Sequence, residues 1–331
     1  MTGRVKRDTP PAQGRPSPLS LDHAPPVGRP ERLAPGIRAV TAPNAGPRTF
    51  TGTRSYIVGD GVVAVIDPGP DDPRHLDALA AAVAGERVAA VLVTHAHRDH
   101  SAGARRFAER VGAPVLAHGD PVGARRPAMA RLAAGGGLGG GEGIDPAFRP
   151  DRRIGGGEVA VGPGWALTAL ATPGHTTDHL SFAWPAAGAL FSGDLVMGWA
   201  TPVISPPDGD LAAFRDSLAR HAAREEGTYY PGHGAPVRDP RGLIAWVLAH
   251  REGREAEIRA ALAGGPLTPA ALAAAIYTGT DPRLLPAAER NVLAHLLDLA
   301  ERGLAAPESP RPAEAAWSLV TPADGRGGGA S

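Results

Sequence analysis

A run of apolar residues that ends in a cluster of potential metal ligands is the feature that most constrains this chain. Residues 88–94 read VAAVLVT, as expected for a strand that is buried on both faces of a sheet. The next six residues read HAHRDH, and the candidate ligands among them are His95, His97, Asp99 and His100. Because α/β folds bind ligands at the carboxyl ends of strands, the sequence predicts a metal site at the edge of a sheet.

Metal-binding side chains recur after three later predicted strands. Strands are predicted at residues 166–171, 189–192 and 228–230, and they are followed by His175, Asp194 and His233. Each of these residues has a glycine beside it, which permits the tight turn that directs a side chain back toward a shared centre. We therefore expect ligands from four strand ends to meet at one site.

The residue types that the chain lacks narrow the chemistry of this site. The 331 residues include no cysteine, so thiolate ligands, disulfides and cysteine nucleophiles are excluded. Lys6 is the only lysine, which excludes a lysine Schiff base farther along the chain. Any metal must therefore be bound by histidine, aspartate, glutamate or backbone oxygen, and a set of imidazole and carboxylate ligands suits zinc.

Alternation of strands and helices predicts a layered α/β domain. Strands are predicted at 53–58 and 62–67 around a turn at 59–61, and a helix at 72–84 precedes the strand at 88–94. A helix after Ser101 leads to a further strand at 114–117. The glycine-rich run 135–141 is predicted to be a flexible loop, as a tolerated insertion rather than a mobile lid.

Composition divides the chain into four predicted segments. Residues 1–33 are rich in proline, arginine and glycine and are predicted to form a disordered leader. Residues 34–240 hold the α/β domain. Three helices, at 243–263, 268–277 and 284–302, precede two short strands within 304–320, which predicts a small winged-helix domain over residues 241–321. Residues 322–331 are predicted to be a flexible tail.

The charge balance gives no sign of a nucleic-acid or membrane partner. The chain has 34 basic and 34 acidic residues, and residues 241–331 contain nine arginines against ten acidic residues. In that segment Arg251, Arg254 and Arg259 alternate with glutamates, which predicts a solvated, salt-bridged helix face. No apolar stretch is long enough for a signal peptide or a membrane span, so a cytoplasmic location is expected.

In their order along the chain, the seven candidate ligands resemble the metallo-β-lactamase superfamily. The pattern His-x-His-x-Asp-His is followed by a histidine, an aspartate and a histidine. Asp67 with Gly69 also matches the Asp-x-Gly strand end of that family. The resemblance covers roughly residues 35–240 and implies an αββα sandwich, with two zinc ions per chain at one edge of two packed sheets.

The resemblance also implies a role for each candidate residue. The expected ligand sets are His95, His97 and His175 for one zinc ion, Asp99, His100 and His233 for the other, and Asp194 as the bridge. A hydroxide that bridges the metals is the expected nucleophile, and Asp99 is the catalytic candidate that orients it. The chain is accordingly expected to be a metal-dependent hydrolase.

The C-terminal segment resembles the β-lactamase-like protein two family, whose members carry an appended winged helix. The resemblance rests on the sequences HREGREAEI at 250–258, LAHL at 293–296 and SPPDGD at 205–210. It implies an endoribonuclease that cleaves single-stranded RNA. Two alternatives stay open, a glyoxalase II-like thioesterase or other ester hydrolase, and a metal-bearing binding or scaffold protein. Aspartate at position 99 and the absence of cysteine argue against a typical zinc-dependent β-lactamase.

The expected partners follow from these alternatives. They are a small ester or thioester or a single-stranded RNA, and a homodimer is left open. Among the remaining polar residues, Asp67 and His179 are expected to support the ligands, and His118 is expected to be structural. Packing or solvated positions are expected for His75, His221, His250 and His295, and candidate pocket residues are Trp199, Thr201 and Ser205.

Overall fold

The computed structural model describes residues 17–141 and 143–320, which form two stacked sheets with helices on their outer faces and a C-terminal group of helices. The helices are α1 (Pro73–Ala82), α2 (Arg98–Ser101), α3 (Ala104–Val111), α4 (Pro127–Ala134), α5 (Leu211–Ala222), α6 (Pro240–Leu262), α7 (Pro269–Ile276) and α8 (Leu285–Glu301). Short 3-10 turns lie at Pro185–Ala187 and Pro282–Leu284.

The first sheet has seven strands whose spatial order follows their order in the sequence. Its strands are β1 (Pro30–Ala34), β2 (Ile37–Thr41), β3 (Arg54–Val58), β4 (Val62–Ile66), β5 (Arg87–Leu92), β6 (Val115–Ala117) and β7 (Arg152–Arg153). The first four pair in antiparallel fashion, and β4 to β7 pair in parallel. Parallel pairing requires crossover connections, and two of these contain α1 and α3.

The second sheet has five strands in the order β12-β11-β10-β9-β8. Its strands are β8 (Val159–Gly162), β9 (Trp165–Ala171), β10 (Leu180–Trp184), β11 (Ala189–Gly193) and β12 (Thr228–Pro231). The strands β8 to β11 pair in antiparallel fashion, and β12 pairs in parallel with β11. The helix α5 makes the crossover between these last two strands.

The packing of β4 illustrates how the layers form. Ala64 and Ile66 point inward to the core between the two sheets, and Val63 and Val65 point outward to the core under α1 and α3. Since successive side chains of a strand face opposite sides of the sheet, a wholly apolar strand contributes to both cores. On the far side, Phe214 of α5 packs against the second sheet. These four layers confirm the predicted αββα sandwich.

The C-terminal helices form a separate core with a small hairpin. Helices α7 and α8 pack with the antiparallel strands β13 (Ala305–Pro307) and β14 (Trp317–Leu319), and the Trp317 side chain is fully buried among them. Three helices and a two-stranded hairpin confirm the predicted winged-helix arrangement. Across the two described ranges of the chain, no helix has both the length and the apolar character needed to cross a membrane.

The helix α6 belongs to two cores, so the cores do not separate at the predicted boundary between residues 240 and 241. Near its start, Leu243 and Val247 pack with Phe214 of α5. Near its end, Ile258 and Leu262 pack with the winged-helix residues. The sequence pattern changes where strands and helices stop alternating. That change does not show which core a helix packs against. The predicted domain boundaries otherwise stay a prediction.

Order begins earlier in the chain than the predicted disordered leader allows. The strand β1 begins at Pro30, inside the segment 1–33, and Val27 forms a bridge with Thr41. Farther upstream, the amide of Ser20 donates to the carbonyl of Gly198 at 2.7 Å. Backbone pairing and the packing of Leu19 and Leu33 against two cores order this segment, and its overall composition does not reveal these contacts. Residues 1–16 of the predicted leader and the predicted tail 322–331 lie outside the described residues.

The glycine-rich run, predicted to be a flexible loop, packs against the rest of the molecule. Leu138 is buried in the winged-helix core, and its carbonyl accepts a hydrogen bond from Arg290 of α8. The amide of Gly141 donates to Asp208 at 2.7 Å. The run has several glycines at positive φ, which lets the backbone follow this surface closely. Sequence statistics for loops do not reveal such long-range contacts.

Candidate metal centre

All seven predicted ligands lie together at one edge of the two sheets. Their donor atoms form three overlapping sets, and within each set the atoms lie within 4.8 Å of one another. The sets are His95, His97 and His175; His95, His100 and Asp194; and Asp99, His100 and His233. His97 caps α2 at its N-terminal end, and this single helical turn carries Asp99 and His100. The other three residues follow β9, β11 and β12, as the sequence predicts.

In the first set, three imidazole rings face one another. His95 Nε2 lies 2.9 Å from His97 Nδ1, and His175 Nε2 lies 3.0 Å from the same atom. In the second half of the site, His233 Nε2 lies 3.2 Å from His100 Nε2 and 3.2 Å from Asp99 Oδ2. Ring nitrogens that converge in this way suit a shared cation.

Asp194 lies between the two halves. Its Oδ2 is 3.6 Å from His175 Nε2 on one side and 3.4 Å from His233 Nε2 on the other. Its Oδ1 is buried and has no hydrogen-bond partner among the described residues. A buried carboxylate oxygen without a partner is unfavourable unless a cation or a donor satisfies it. The donor set and this oxygen therefore fit a metal-binding site.

Outer hydrogen bonds fix the direction of the rings. The Nδ1–H of His175 donates to the carbonyl of Val203 at 2.8 Å, and that of His100 donates to Asp67 at 2.9 Å. His95 Nδ1 bonds to the hydroxyl of Thr94 at 2.9 Å. A hydrogen bond at one ring nitrogen fixes the tautomer, so the other nitrogen is left as a ligand. These contacts explain why the Nε2 atoms point into the site.

Asp67 connects Thr94 and the candidate ligand His100, two residues that follow β5. Besides His100, its carboxylate accepts hydrogen bonds from the amide of Thr94 at 2.7 Å and from the Thr94 hydroxyl at 2.8 Å. Asp67 itself has a φ of +50°, a strained conformation for a residue other than glycine. The prediction that Asp67 supports the ligand loop agrees with these contacts.

Two glycines allow the strand ends to approach each other. A Cβ atom on Gly232 would lie 2.4 Å from Asp194 Oδ1 and 2.6 Å from His100 Cε1. A Cβ atom on Gly193 would lie 2.6 Å from His179 Nε2. That nitrogen accepts a hydrogen bond from the amide of Asp194 at 3.1 Å, so His179 holds the backbone of the central carboxylate. Neither glycine can be replaced without displacing these groups.

The pKa values of the candidate ligands differ between the two halves of the site, one with His95, His97 and His175 and the other with Asp99, His100 and His233. Burial, followed by repulsion from His175, lowers the pKa of His97 to about 3. Burial alone would also lower the pKa of His233, but the carboxylates of Asp194 and Asp99 raise it to about 9. The same opposition raises the pKa of His100 well above its usual value. Cations that bind in this second half therefore compete with protons.

A cavity of about 520 Å³ opens onto the centre. The candidate ligands in its wall are His97, Asp99, His175, Asp194 and His233. The opposite wall comes from the C-terminal helices and includes Trp246, Tyr277 and Leu284. The predicted pocket residues Trp199, Thr201 and Ser205 also line it. The winged-helix part thus completes the cavity, and most of the lining away from the centre is apolar.

A short loop joins the C-terminal helices to the metal centre. Asn291 Oδ1 on α8 accepts from the amide of Ile204 at 2.9 Å and from Arg251 of α6 at 3.2 Å. Arg251 also donates to the carbonyl of Pro202. The carbonyl of Val203, between these two positions, orients His175 as described above. We call residues 202–204, with Arg251 and Asn291, the loop clamp.

The helix face that carries Arg251 and Arg254 is buried, so the prediction of a solvated face is wrong for these two residues, although Arg254 does form an ion pair with Glu257. The exposed fraction is 1% for Arg251 and 4% for Arg254, whereas Arg259 is exposed. His250 and His295 are buried as well. Arginines that alternate with glutamates indicate a polar helix surface. The pattern does not show that the loop 202–204 and α8 cover this face.

Several residues around the centre have no signal in the sequence. Thr94, Asn291 and the carbonyl of Val203 orient ligands through contacts that depend on the fold. Of these, only Thr94 is adjacent to a ligand in the chain. His118 belongs to none of the three ligand sets, and its predicted structural role stays a prediction.

Comparison with known proteins gives matches over both parts of the chain. A family model described as the metallo-beta-lactamase superfamily matches residues 48–233, and one described as the beta-lactamase associated winged helix domain matches residues 268–317. The atrochrysone carboxyl ACP thioesterase AgnL7 of Paecilomyces divaricatus is 32% identical over 251 residues, which cover 74% of this chain and 70% of that protein. A beta-lactamase-like protein 2 homolog of Drosophila melanogaster is 29% identical, with 82% of this chain and 90% of that protein covered.

Solved structures match over nearly the same extent. A beta-lactamase domain protein from Burkholderia ambifaria has a TM-score of 0.75 at 25% identity, covering 90% of this chain and 96% of its own. A metallo-beta-lactamase family protein from Thermus thermophilus has a TM-score of 0.71 at 26% identity, covering 87% and 100%. With a superfamily model matched over more than half of its length, the chain belongs to the metallo-β-lactamase superfamily, and it carries the winged-helix domain associated with that family.

Proposed function

We propose that this superfamily hydrolase cleaves an ester or thioester of an organic acid and uses two zinc ions held by the seven converging side chains. The observation that carries the proposal is the position of these side chains in the wall of a mostly apolar cavity. A volume of about 520 Å³ suits a small organic substrate, which such a cavity would bind by burial of apolar surface. Curated relatives named as ACP thioesterases support the same substrate class.

The residues of the chain have distinct tasks in this proposal. His95, His97 and His175 hold one ion, the set of Asp99, His100 and His233 holds the other, and Asp194 is shared. Zinc bound there would supply Lewis acidity, which polarises a carbonyl group and generates a nucleophile from water at neutral pH. The Asp99 side chain is 29% exposed and faces the cavity, so it can accept a hydrogen bond from water and orient it toward the substrate.

Single-stranded RNA, the first substrate that the sequence predicts, is placed second here. An RNA-binding surface needs a positively charged path for the phosphates, and residues 241–331 carry one more acidic than basic residue. The cavity wall is mostly apolar, and its few arginines suit a single anionic group better than a chain of phosphates. The thioesterase alternative is therefore the one that the site favours.

A direct comparison of substrates tests the proposal. Zinc-loaded protein is assayed on S-phenyl thiobutyrate and on single-stranded RNA, and bound zinc is measured by elemental analysis. We expect about two zinc ions per chain and hydrolysis of the thioester, lost on chelation and restored by zinc. His97→Ala should abolish turnover, whereas His118→Ala, a change outside the centre, should leave it intact. Thioester hydrolysis that survives chelation or His97→Ala, or cleavage of RNA alone, would overturn the proposal.

A further inference from the structure

Two buried arginines lie in the cavity wall that faces the metal centre. Arg251 and Arg254 are three residues apart on α6, which places both side chains on one face of the helix. Both line the cavity that also contains His97 and Asp194. Arginines are rarely buried unless a partner neutralises their charge. We therefore compare the charge of each arginine with the groups that contact it.

The charge of Arg251 is not balanced by a carboxylate. Within the described ranges of the chain, no acidic oxygen lies within 4.0 Å of its guanidinium, which donates instead to Asn291 and to the carbonyl of Pro202. The nearby acids Glu255 and Asp298 are occupied by Arg215 and Arg302. Burial lowers the pKa of Arg251 to about 10, so the group still carries its charge at neutral pH. Its Nε is buried, and no group in the described part of the chain bonds to it.

The charge of Arg254 is only partly balanced. One of its terminal nitrogens donates to Glu257 at 2.8 Å, and the side chain of Glu257 is 42% exposed, so water screens that pair. The guanidinium carbon lies 4.3 Å from the ring centre of Tyr277, another residue of the cavity wall. Its Nε, like that of Arg251, is buried without a hydrogen-bond partner among the described residues.

We propose that Arg251 and Arg254 form an anion-binding subsite of the cavity, which holds a carboxylate or phosphate group of the substrate. This inference rests on the proposed function, since it assigns the substrate a negative group at one end, an apolar body, and the scissile bond at the metal centre. A guanidinium has five donors in a planar fork that suits an oxyanion, and Arg254 uses only one of its terminal nitrogens in an ion pair. Burial would strengthen such a bond because little water competes for the donors.

A purely structural role of Arg251 and Arg254 would explain fewer of these observations than an anion-binding subsite does. Aromatic contacts and carbonyl acceptors satisfy part of each guanidinium, and a neutral glutamine could make most of the same bonds. They do not account for two cations on one wall, or for the two unpaired Nε atoms within the described residues. An anionic group of a ligand in the cavity would supply the missing charge.

Binding of matched neutral and anionic probes tests the subsite. The zinc-loaded full chain is titrated calorimetrically with naphthalene-2-carboxylate, naphthalene-2-carboxamide and 2-naphthyl phosphate. We expect either anion to bind more tightly than the amide, and Arg254→Gln to weaken anion binding about tenfold or more while the amide is unaffected. Arg259→Gln, on the exposed face of the same helix, is the matched control and should change neither. Whichever anion gains more from Arg254 identifies the group that the subsite holds.

The outcomes separate this proposal from the proposed function because binding is measured without turnover. Equal losses for anion and amide in Arg254→Gln would show that the arginine only shapes the cavity and would overturn the subsite. So would wild-type protein that binds the amide as tightly as both anions. If the glutamine variant fails to fold, Arg254→Lys replaces it, and that variant must retain a preference for an anion. Activity on neutral thioesters can persist in every one of these cases.

Discussion

At the scale of single residues, the centre depends on acceptors that hold the far side of each ring. Asp67 shows this most clearly, since its carboxylate accepts from His100 and twice from Thr94. Ligand rings that are held in this way lose little freedom when a metal binds, which raises affinity without any additional ligand. The backbone strain at Asp67 is compensated by these three hydrogen bonds.

Asp67→Asn is therefore expected to reduce metal affinity and turnover by about 10- to 100-fold. Asparagine tolerates positive φ, so the backbone is preserved while the negative charge beside His100 is lost. Zinc content after dialysis and kcat/KM on the thioester measure the effect. The matched control is Asp77→Asn, an exposed residue that pairs with Arg110. Equal activity of the two variants would contradict the role assigned to Asp67.

A second residue-scale prediction concerns His295, which is buried on α8 with neither ring nitrogen bonded to any described residue. Burial, then Arg251 and the neighbouring cations, lowers its pKa well below 6.5. The unfolded chain therefore binds a proton that the folded chain does not, and stability falls as pH drops below about 6.5. His295→Leu should remove about 1.4 kcal/mol per pH unit of this loss.

The same variant should raise the free energy of unfolding at pH 7 by about 1–3 kcal/mol, because it removes an unsatisfied buried polar group. Urea unfolding of both proteins between pH 7 and pH 5 measures both effects. A pH dependence identical to that of the wild type would show that His295 does not stay neutral in the folded chain.

At the scale of elements, local pattern predicts most of the structure. Runs such as Val62–Ile66 and the periodic apolar positions of α8 locate their elements to within a few residues. The strands β1 and β7 lack that pattern, since Pro30–Ala34 contains a proline and two charged residues and Arg152–Arg153 has no apolar residue, and both are edge strands. Edge strands form through backbone pairing with a neighbour, and that neighbour is known only once the sheet is assembled.

The long helix α6 contains a glycine at its middle, and this residue permits an element-scale prediction. Gly253 is exposed, and a Cβ atom there would have nothing within 4 Å. Gly253→Ala should therefore stabilise the protein by about 0.5–1 kcal/mol, because alanine loses less conformational entropy in a helix. The midpoint of urea unfolding is the measurement.

Gly174→Ala provides the opposite case for comparison. Its φ is +149°, and a Cβ atom would lie 2.4 Å from the Cα of Phe214, so this substitution should destabilise the protein. A loss of stability in Gly253→Ala would mean that α6 is not a regular helix at its centre.

At the scale of the whole molecule, the metal centre and the C-terminal helices are one structural unit. The loop clamp joins α6 and α8 to the carbonyl that orients His175. The sequence predicts the seven candidate ligands because their order and strand-end positions are local features. The sequence does not predict the loop clamp or the shared cavity, because both form only when residues far apart in the chain pack together.

Asn291→Ala tests this connection. The change leaves the Ile204 amide and one Arg251 donor without their acceptor, so the loop should hold His175 less firmly. We expect kcat/KM to fall about tenfold or more, with a smaller retained zinc content. Arg283→Ala, which removes an exposed side chain paired with Asp281, is the control. Should both variants be equally active, the winged-helix part would have no influence on the centre.

The helix α6, which is shared by two cores, also limits where residues can be inserted into the chain. A linker between domains tolerates insertions, but one residue added within a helix turns everything beyond it by about 100° and moves it about 1.5 Å. An insertion between Val247 and Arg254 would leave Leu243 and Val247 in the first core and rotate the second core away from it. Arg254 would then leave the cavity wall. The number of residues in α6 therefore helps to determine which side chains line the cavity.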